Sequence, residues 1–254
     1  MNKVNLGLME DNLSEQEAKR DIETENIKDL LKFVPFAAVA VAILILVGVS
    51  NFRLFHILSE LFAVFIAFFT FSTALLTFKV SRNNFIMYLG CGYFWVGMLD
   101  LAHALFFENV GIISGNSTNV SAQLWISARY LEAFLLLTSF YFLKRKVNIW
   151  LVFSGFGLFS IILYSLIAAG IFPDCFVEGR GLTAFKKGSE YVIIGILFLT
   201  LLRRKYVKHL LEENVYNKIF LAIDITIISE TLFTLYSNAS SGYVIAGHIT
   251  KIFS

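Results

Sequence analysis

Beyond residue 32 the chain is a succession of long apolar runs separated by short charged connectors. No stretch alternates apolar and polar residues for long, as a barrel strand would. Several runs reach about 20 residues with few charges, the length at which a helix spans a hydrocarbon core. The pattern predicts an all-α, polytopic membrane protein with eight spans, at 33–49, 52–78, 85–107, 122–143, 149–172, 184–202, 216–236 and from 243 onward. The second is long enough to tilt or to begin as an interfacial turn. The last has 12 residues before Ser254, about 18 Å of a core about 30 Å thick. That truncated span is expected to end inside the bilayer or to belong to something longer.

Composition and charge add class and orientation. Of 254 residues, 57% are hydrophobic, with 27 Phe and two Pro, which is too apolar for a soluble domain of this length. Lys79 and Arg82, then Lys144, Arg145 and Lys146, then Arg203, Arg204, Lys205 and Lys208 mark connectors that alternate with 108–121 and 238–242, which lack Lys and Arg. Basic connectors stay cytoplasmic. With eight spans, both termini are expected inside the cell, in a multi-pass protein of the cell membrane. The connector 173–183, flanked by Lys186 and Lys187, is mixed in sign and is assigned to the outside by alternation.

The first 32 residues are polar and mildly acidic, carrying Glu10, Asp11, Glu15, Glu17, Asp21, Glu23, Glu25 and Asp29. They read as a cytoplasmic lead, not a signal peptide. Ser14 precedes Glu17 in capping-box spacing, so 14–32 is a candidate surface helix, although few apolar residues favour it over disorder. The expected division is a cytoplasmic segment 1–32 and a membrane domain 33–254. Cys91 and Cys175 fall at different depths and are not expected to bond. Asn116-Ser117-Thr118 and Asn119-Val120-Ser121 match the glycosylation sequon and read equally as loop chemistry. There is no Gly-rich phosphate loop and no nucleophile with an evident base, so no enzymatic activity is expected.

Charge reappears inside the spans at helical spacing: His56/Glu60, Asp100/His103, Arg129/Glu132, Lys187/Glu190 and His248/Lys251, with Glu230 alone. Residues three or four apart share a helix face. Charges within a span are costly unless they face one another or a water-filled cavity. Counted from the external ends, His56, His103 and His248 fall roughly 5–10 Å deep and Glu60, Asp100, Arg129, Glu132, Glu190 and Glu230 roughly 8–15 Å. One polar site in the outer half of the bilayer is the economical explanation, with these residues and Lys187 as its ligand-binding set.

A structural reading lets Arg129 neutralise Glu132 or Asp100, and Lys187 neutralise Glu190, while polar groups bridge helices. A chemical reading starts from the excess of Glu60, Asp100, Glu132, Glu190 and Glu230 over Arg129, Lys187 and Lys251. Imidazole with carboxylate suits Zn, Mn, Fe or Ni rather than Ca or Cu(I), and Asp100-x-x-His103 echoes the acidic-x-x-His element of di-iron bundles. The sharp expectation is a divalent transition metal held by His56, Glu60, Asp100, His103, Glu132 and His248. A bis-histidine haem suits the carboxylates less well, and a proton or small organic ligand is the remaining option. Elsewhere, Asp224 reads as a helix bridge, Gly90, Gly92 and Gly97 as points of close helix approach, His209 as a headgroup contact, and Trp125 and Trp150 as interfacial belt residues.

Several runs resemble a known family: Leu54 to Phe62 around His56 and Glu60, Gly97-Met98-Leu99-Asp100-Leu101-Ala102-His103, Gln123-Leu124-Trp125-Ile126 through Glu132, Phe172-Pro173-Asp174-Cys175-Phe176, Phe185 to Tyr191, and the closing Gly247 to Ile252. Over about residues 35–254 the chain is similar to the third family of bacterial and archaeal membrane-associated sensor domains. The resemblance implies an integral-membrane input module joined at its C-terminal end to a cytoplasmic histidine kinase, diguanylate cyclase or other signalling output. Expected partners are membrane lipids and such an output, fused or separate, with a homodimer as a further option and no nucleic acid. The runner-up function is a transporter or intramembrane metalloenzyme. A transport path needs polar residues across the inner half too, where the sequence offers Cys91, Asp224 and a few hydroxyls.

Overall fold

The computed structural model describes residues 32, 35–36, 38–107, 117–235 and 242–254. The candidate surface helix at 14–32 lies outside these residues apart from Lys32, as does Asn116. The chain divides into two compact units, Met1–Val47 and Gly48–Ser254. Helix α1 (Ala38–Ser50) straddles that division. The second unit contains α2 (Phe52–Ser81), α3 (Asn84–Phe106), α4 (Ser117–Ser139) continued by a 3-10 turn (Phe140–Leu143), α5 (Ile149–Ala168), a hairpin of β1 (Phe176–Val177) and β2 (Gly181–Leu182), α6 (Ala184–Leu202), the short α7 (Arg204–Val207), α8 (Glu213–Thr234) and α9 (Gly242–Ile252).

The protein is an all-α membrane protein. Four described helices are long and apolar enough to cross a bilayer: Phe52–Ser81, Asn84–Phe106, Thr118–Leu143 and Ile149–Ala168. The expected spans at 184–202 and 216–236 are helices too, but α6 carries Lys186, Lys187 and Glu190, and α8 carries Asp224 and Glu230. Helix α4 begins at Ser117, five residues before the expected span. The hairpin, with Phe176 opposite Leu182, was not expected.

Short polar residues start the helices where the apolar pattern starts. The side-chain oxygens of Asn51, Asn83, Asn148 and Thr183 each accept a backbone N–H three residues on, at 3.1 Å, which satisfies donors that a helix start otherwise leaves unpaired. Helix α2 buries Phe55, His56, Ser59, Glu60, Val64, Ala67 and Ala74 along one face and exposes Leu58, Phe62, Phe65 and Phe69. An outward apolar face of this kind suits lipid.

The α2/α3 contact is set by small residues. A Cβ at Gly90 would lie 2.6 Å from that of Ala74, and one at Gly97 would lie 2.9 Å from that of Ala67. The two pairs are seven residues apart on each helix and run antiparallel, so they pin one register. Close approach through small residues is the usual device where apolar burial cannot drive helices together in lipid. That register brings the start of α2 to the end of α3, where His56 and His103 stand.

Candidate ligand site

Three helices deliver the imidazoles. His56 on α2, His103 on α3 and His248 on α9 are all buried. The Nε2 atoms of His56 and His103 lie 3.3 Å apart. His103 is oriented from α4: its Nδ1 lies 2.8 Å from the Ser121 carbonyl oxygen, and the Ser121 hydroxyl donates to the His103 carbonyl at 3.1 Å. The Ser121 hydroxyl also lies 2.9 Å from Nδ1; with the Nδ1 proton toward the Ser121 carbonyl, the Nε2 lone pair faces His56. Phe107 stacks on His56 with ring centroids 3.7 Å apart. His248 meets His56 edge to face at 4.8 Å.

Below the imidazoles Glu60 is fully buried. It accepts from Lys251 Nζ at 2.8 and 3.1 Å, and its Oε1 lies 3.1 Å from His248 Nδ1. Both partners belong to α9, one turn apart. Lys251 also stands 3.5 Å from Asp100. Asp100 receives Arg129 Nη2 on both carboxylate oxygens, at 2.8 and 2.6 Å, and Arg129 Nη1 donates to Glu132. Two cations approach the indole of Trp125, Arg129 at 4.9 Å and Lys251 at 4.4 Å from the ring centroid. A cation over an indole face is attracted by its quadrupole.

These contacts correct several sequence expectations. Lys187 is exposed, and Glu190 pairs instead with the buried Lys186 four residues before it. Spacings of three and four are both same-face, so the sequence alone could not choose between two adjacent lysines. Asp100 and Glu132 are both engaged by Arg129. His248 is turned to Glu60. Of the six expected metal ligands, His56, Glu60 and His103 place donor atoms within 4.8 Å of one another. A haem between His56 and His103 is ruled out by their 3.3 Å nitrogen separation, because axial ligands lie on opposite sides of a macrocycle and no gap exists for one. Trp125 is 5% exposed and sits at the centre of the site, not in an interfacial belt. Asp224 does bridge helices, facing Arg204 of α7 at 3.9 Å.

Glu190 and Glu230 are buried with Oε2 atoms that find no hydrogen-bond partner. With Lys186 in the place of Lys187, the carboxylates of the layer still outnumber its cations.

A cavity of about 460 Å³ opens above the imidazoles, lined by His56, His103, His248 and Trp125 and bordered by Phe176 and Leu182 of the hairpin. Two carboxamides one turn apart on α4 hold this border. Gln123 donates to the carbonyls of Phe172 and Pro173 at 3.0 and 3.1 Å. Asn119 Oδ1 accepts from the backbone N–H groups of Cys175 and Phe176 at 2.8 and 3.0 Å, and its Nδ2 donates to Asp174 at 2.8 Å. Asn119 is thus a buried helical residue and not a loop sequon. The turn itself needs glycine, since Gly179 and Gly181 have φ of 75° and 80°. Sequence reasoning missed Asn119 and Ser121 because 108–121 carries loop composition; the four-residue spacing of Asn119 and Gln123 was the available signal.

Asn119→Ala leaves two backbone N–H groups without their acceptor, at about 1–3 kcal/mol for each donor left buried. We expect faster proteolysis and hydrogen exchange across 174–183 with the helices retained. Protection equal to wild type would show that Asn119 does not hold the hairpin.

The family model for MASE3, a membrane-associated sensor domain, matches residues 47–254. No curated protein and no solved structure matches the chain.

Proposed function

The chain belongs to the MASE3 family of membrane-associated sensor domains, and from that premise we propose that it is the input module of a signalling protein, reading an external ligand or ion in the imidazole-lined cavity. The observation that carries this reading is the origin of the three imidazoles on three different helices, so that any occupant bridges α2, α3 and α9. Helix α9 contributes His248 and Lys251 and is the element through which a shift would pass to a cytoplasmic output. The orientation proposed, with both termini inside, rests on the basic connectors. Two of them meet at the end of the bundle away from the cavity, where Lys144 sits over the ring of Tyr206 at 5.5 Å.

Two experiments test this. Arg180→Cys, at the exposed hairpin tip, should react with a membrane-impermeant maleimide in intact cells, whereas Lys205→Cys should react only after permeabilisation. The native thiols do not interfere: both are buried, and burial pushes the Cys175 thiol up to about 12. Reversed labelling would overturn the external cavity. Separately, Ala122→Trp fills the cavity that Ala122 lines. With a diguanylate cyclase or histidine kinase domain fused after α9, the filled variant should change output at equal membrane abundance. Identical output would overturn sensing through this cavity.

A further inference from the structure

We infer that His56 and His103 bind a divalent first-row transition metal with Glu60 as third ligand, and that the ion takes Glu60 from Lys251, releasing the clamp on α9. The inference rests on the sensory reading of the same cavity and names both its ligand and its switch.

The nitrogen geometry comes first. Two imidazoles on a tetrahedral ion at about 2.0–2.1 Å stand roughly 3.3–3.4 Å apart. The observed Nε2 separation is 3.3 Å. A proton on His103 Nδ1, facing the Ser121 carbonyl at 2.8 Å, gives the metal-binding tautomer, the outer-shell arrangement that metal-bound histidines use. In either neutral tautomer His56 leaves one nitrogen without a partner. Its Nδ1 is buried and finds no hydrogen-bond partner. With its proton on Nε2, Nδ1 is a bare acceptor; with its proton on Nδ1, two lone pairs face each other across 3.3 Å. A cation turns that repulsion into coordination. Two imidazoles and one carboxylate suit Zn, Mn, Fe or Ni, and both imidazoles line the cavity.

The switch lies in Glu60. Its carboxylate is within 4.8 Å of the two imidazole donors, is held by Lys251 at 2.8 Å and lies 3.1 Å from His248 Nδ1. A divalent ion attracts Glu60 and repels Lys251. Lys251 has a second acceptor in place, Asp100, at 3.5 Å, and can exchange one carboxylate for the other. The charged groups around it are Glu60 from α2, Asp100 from α3 and Arg129 from α4, so the exchange moves a cation of α9 toward Asp100 and its Arg129 partner. Two alternative acceptors for one lysine would give the two-state contact that signalling uses.

The test uses untagged full-length protein in detergent, stripped with chelator and titrated with ZnCl₂, and with CoCl₂ as an optical probe. Wild type should bind one equivalent. His56→Ala and His103→Ala should lose it. His103→Gln provides a second variant should the alanine fail to fold. Lys251→Met should bind tighter than wild type, and Glu60→Gln should cancel that gain, which a merely structural lysine would not produce. Spin labels at Leu58→Cys and Phe253→Cys should report a change of about 1–2 Å or more on zinc addition, absent in His103→Ala. Stoichiometric zinc with unchanged affinity in Lys251→Met and no change in label distance would overturn the switch. Failure to bind Zn, Co, Mn, Fe or Ni by folded protein would overturn the metal, while altered output from Ala122→Trp would still support the sensory cavity.

Discussion

Arg129→Met is expected to unfold the part of the bundle that holds the polar layer. The guanidinium holds Asp100 through both oxygens and Glu132 through its other arm, and all three side chains are buried. Methionine fills most of the volume and leaves two buried carboxylates without their shared guanidinium, with Lys251 at 3.5 Å as a cation beside Asp100. Removing one partner from a buried ionic group costs about 3–5 kcal/mol, a large share of a typical folding free energy. Arg129→Lys should recover only part of it, because a point charge cannot serve two carboxylates as a planar fork does. Unfolding in detergent measures the loss. Adding Asp100→Asn to Arg129→Met should return stability, because it removes one of the stranded charges. An Arg129→Met protein as stable as wild type would mean that the triad does not hold α3 to α4.

Gly90→Leu is expected to be the most damaging change outside the polar layer. Its Cβ would lie 2.6 Å from the Ala74 Cβ and 3.3 Å from the Phe71 Cα, and neither atom can move without moving α2. Overpacking of this kind costs about 1–3 kcal/mol, and here the strain falls on a helix contact with no flexible side chain to absorb it. Gly92 offers the contrast. Its Cβ would meet the methyl end of Leu135, which can change rotamer, so Gly92→Ala should be milder than Gly90→Ala. Thermal melts of the two alanine variants and of Gly90→Leu give the ranking. Because Gly90 and Gly97 set the α2/α3 register, Gly90→Leu should also disturb the His56/His103 pair. Loss of stability with unchanged zinc affinity would show that the register near the histidines is fixed elsewhere.

Much of the architecture was legible because membrane spans obey a strong local rule: backbone polar groups must be satisfied within the segment, so apolar runs of sufficient length become helices. Helices at 184–202, and within a few residues at 52–78 and 85–107, follow from hydropathy and flanking charge alone. Burial of the polar residues was legible for the same reason. A histidine or carboxylate amid an apolar run has to turn inward, and His56, Glu60, Asp100, His103, Arg129, Glu132, Glu190, Glu230 and His248 are all buried.

Partners were not legible. Helical spacing says which residues share a face but not which helix that face meets. The sequence thus determined the helices, their apolar outer faces and a shared polar layer. Tertiary structure alone decided that Lys186 rather than Lys187 serves Glu190, that Asp100 and Glu132 belong to Arg129, and that Glu60 is held by α9 from 191 residues away along the chain. Hydropathy and periodicity are properties of one segment in its solvent, whereas an ion pair depends on rotamer, register and distance across two segments.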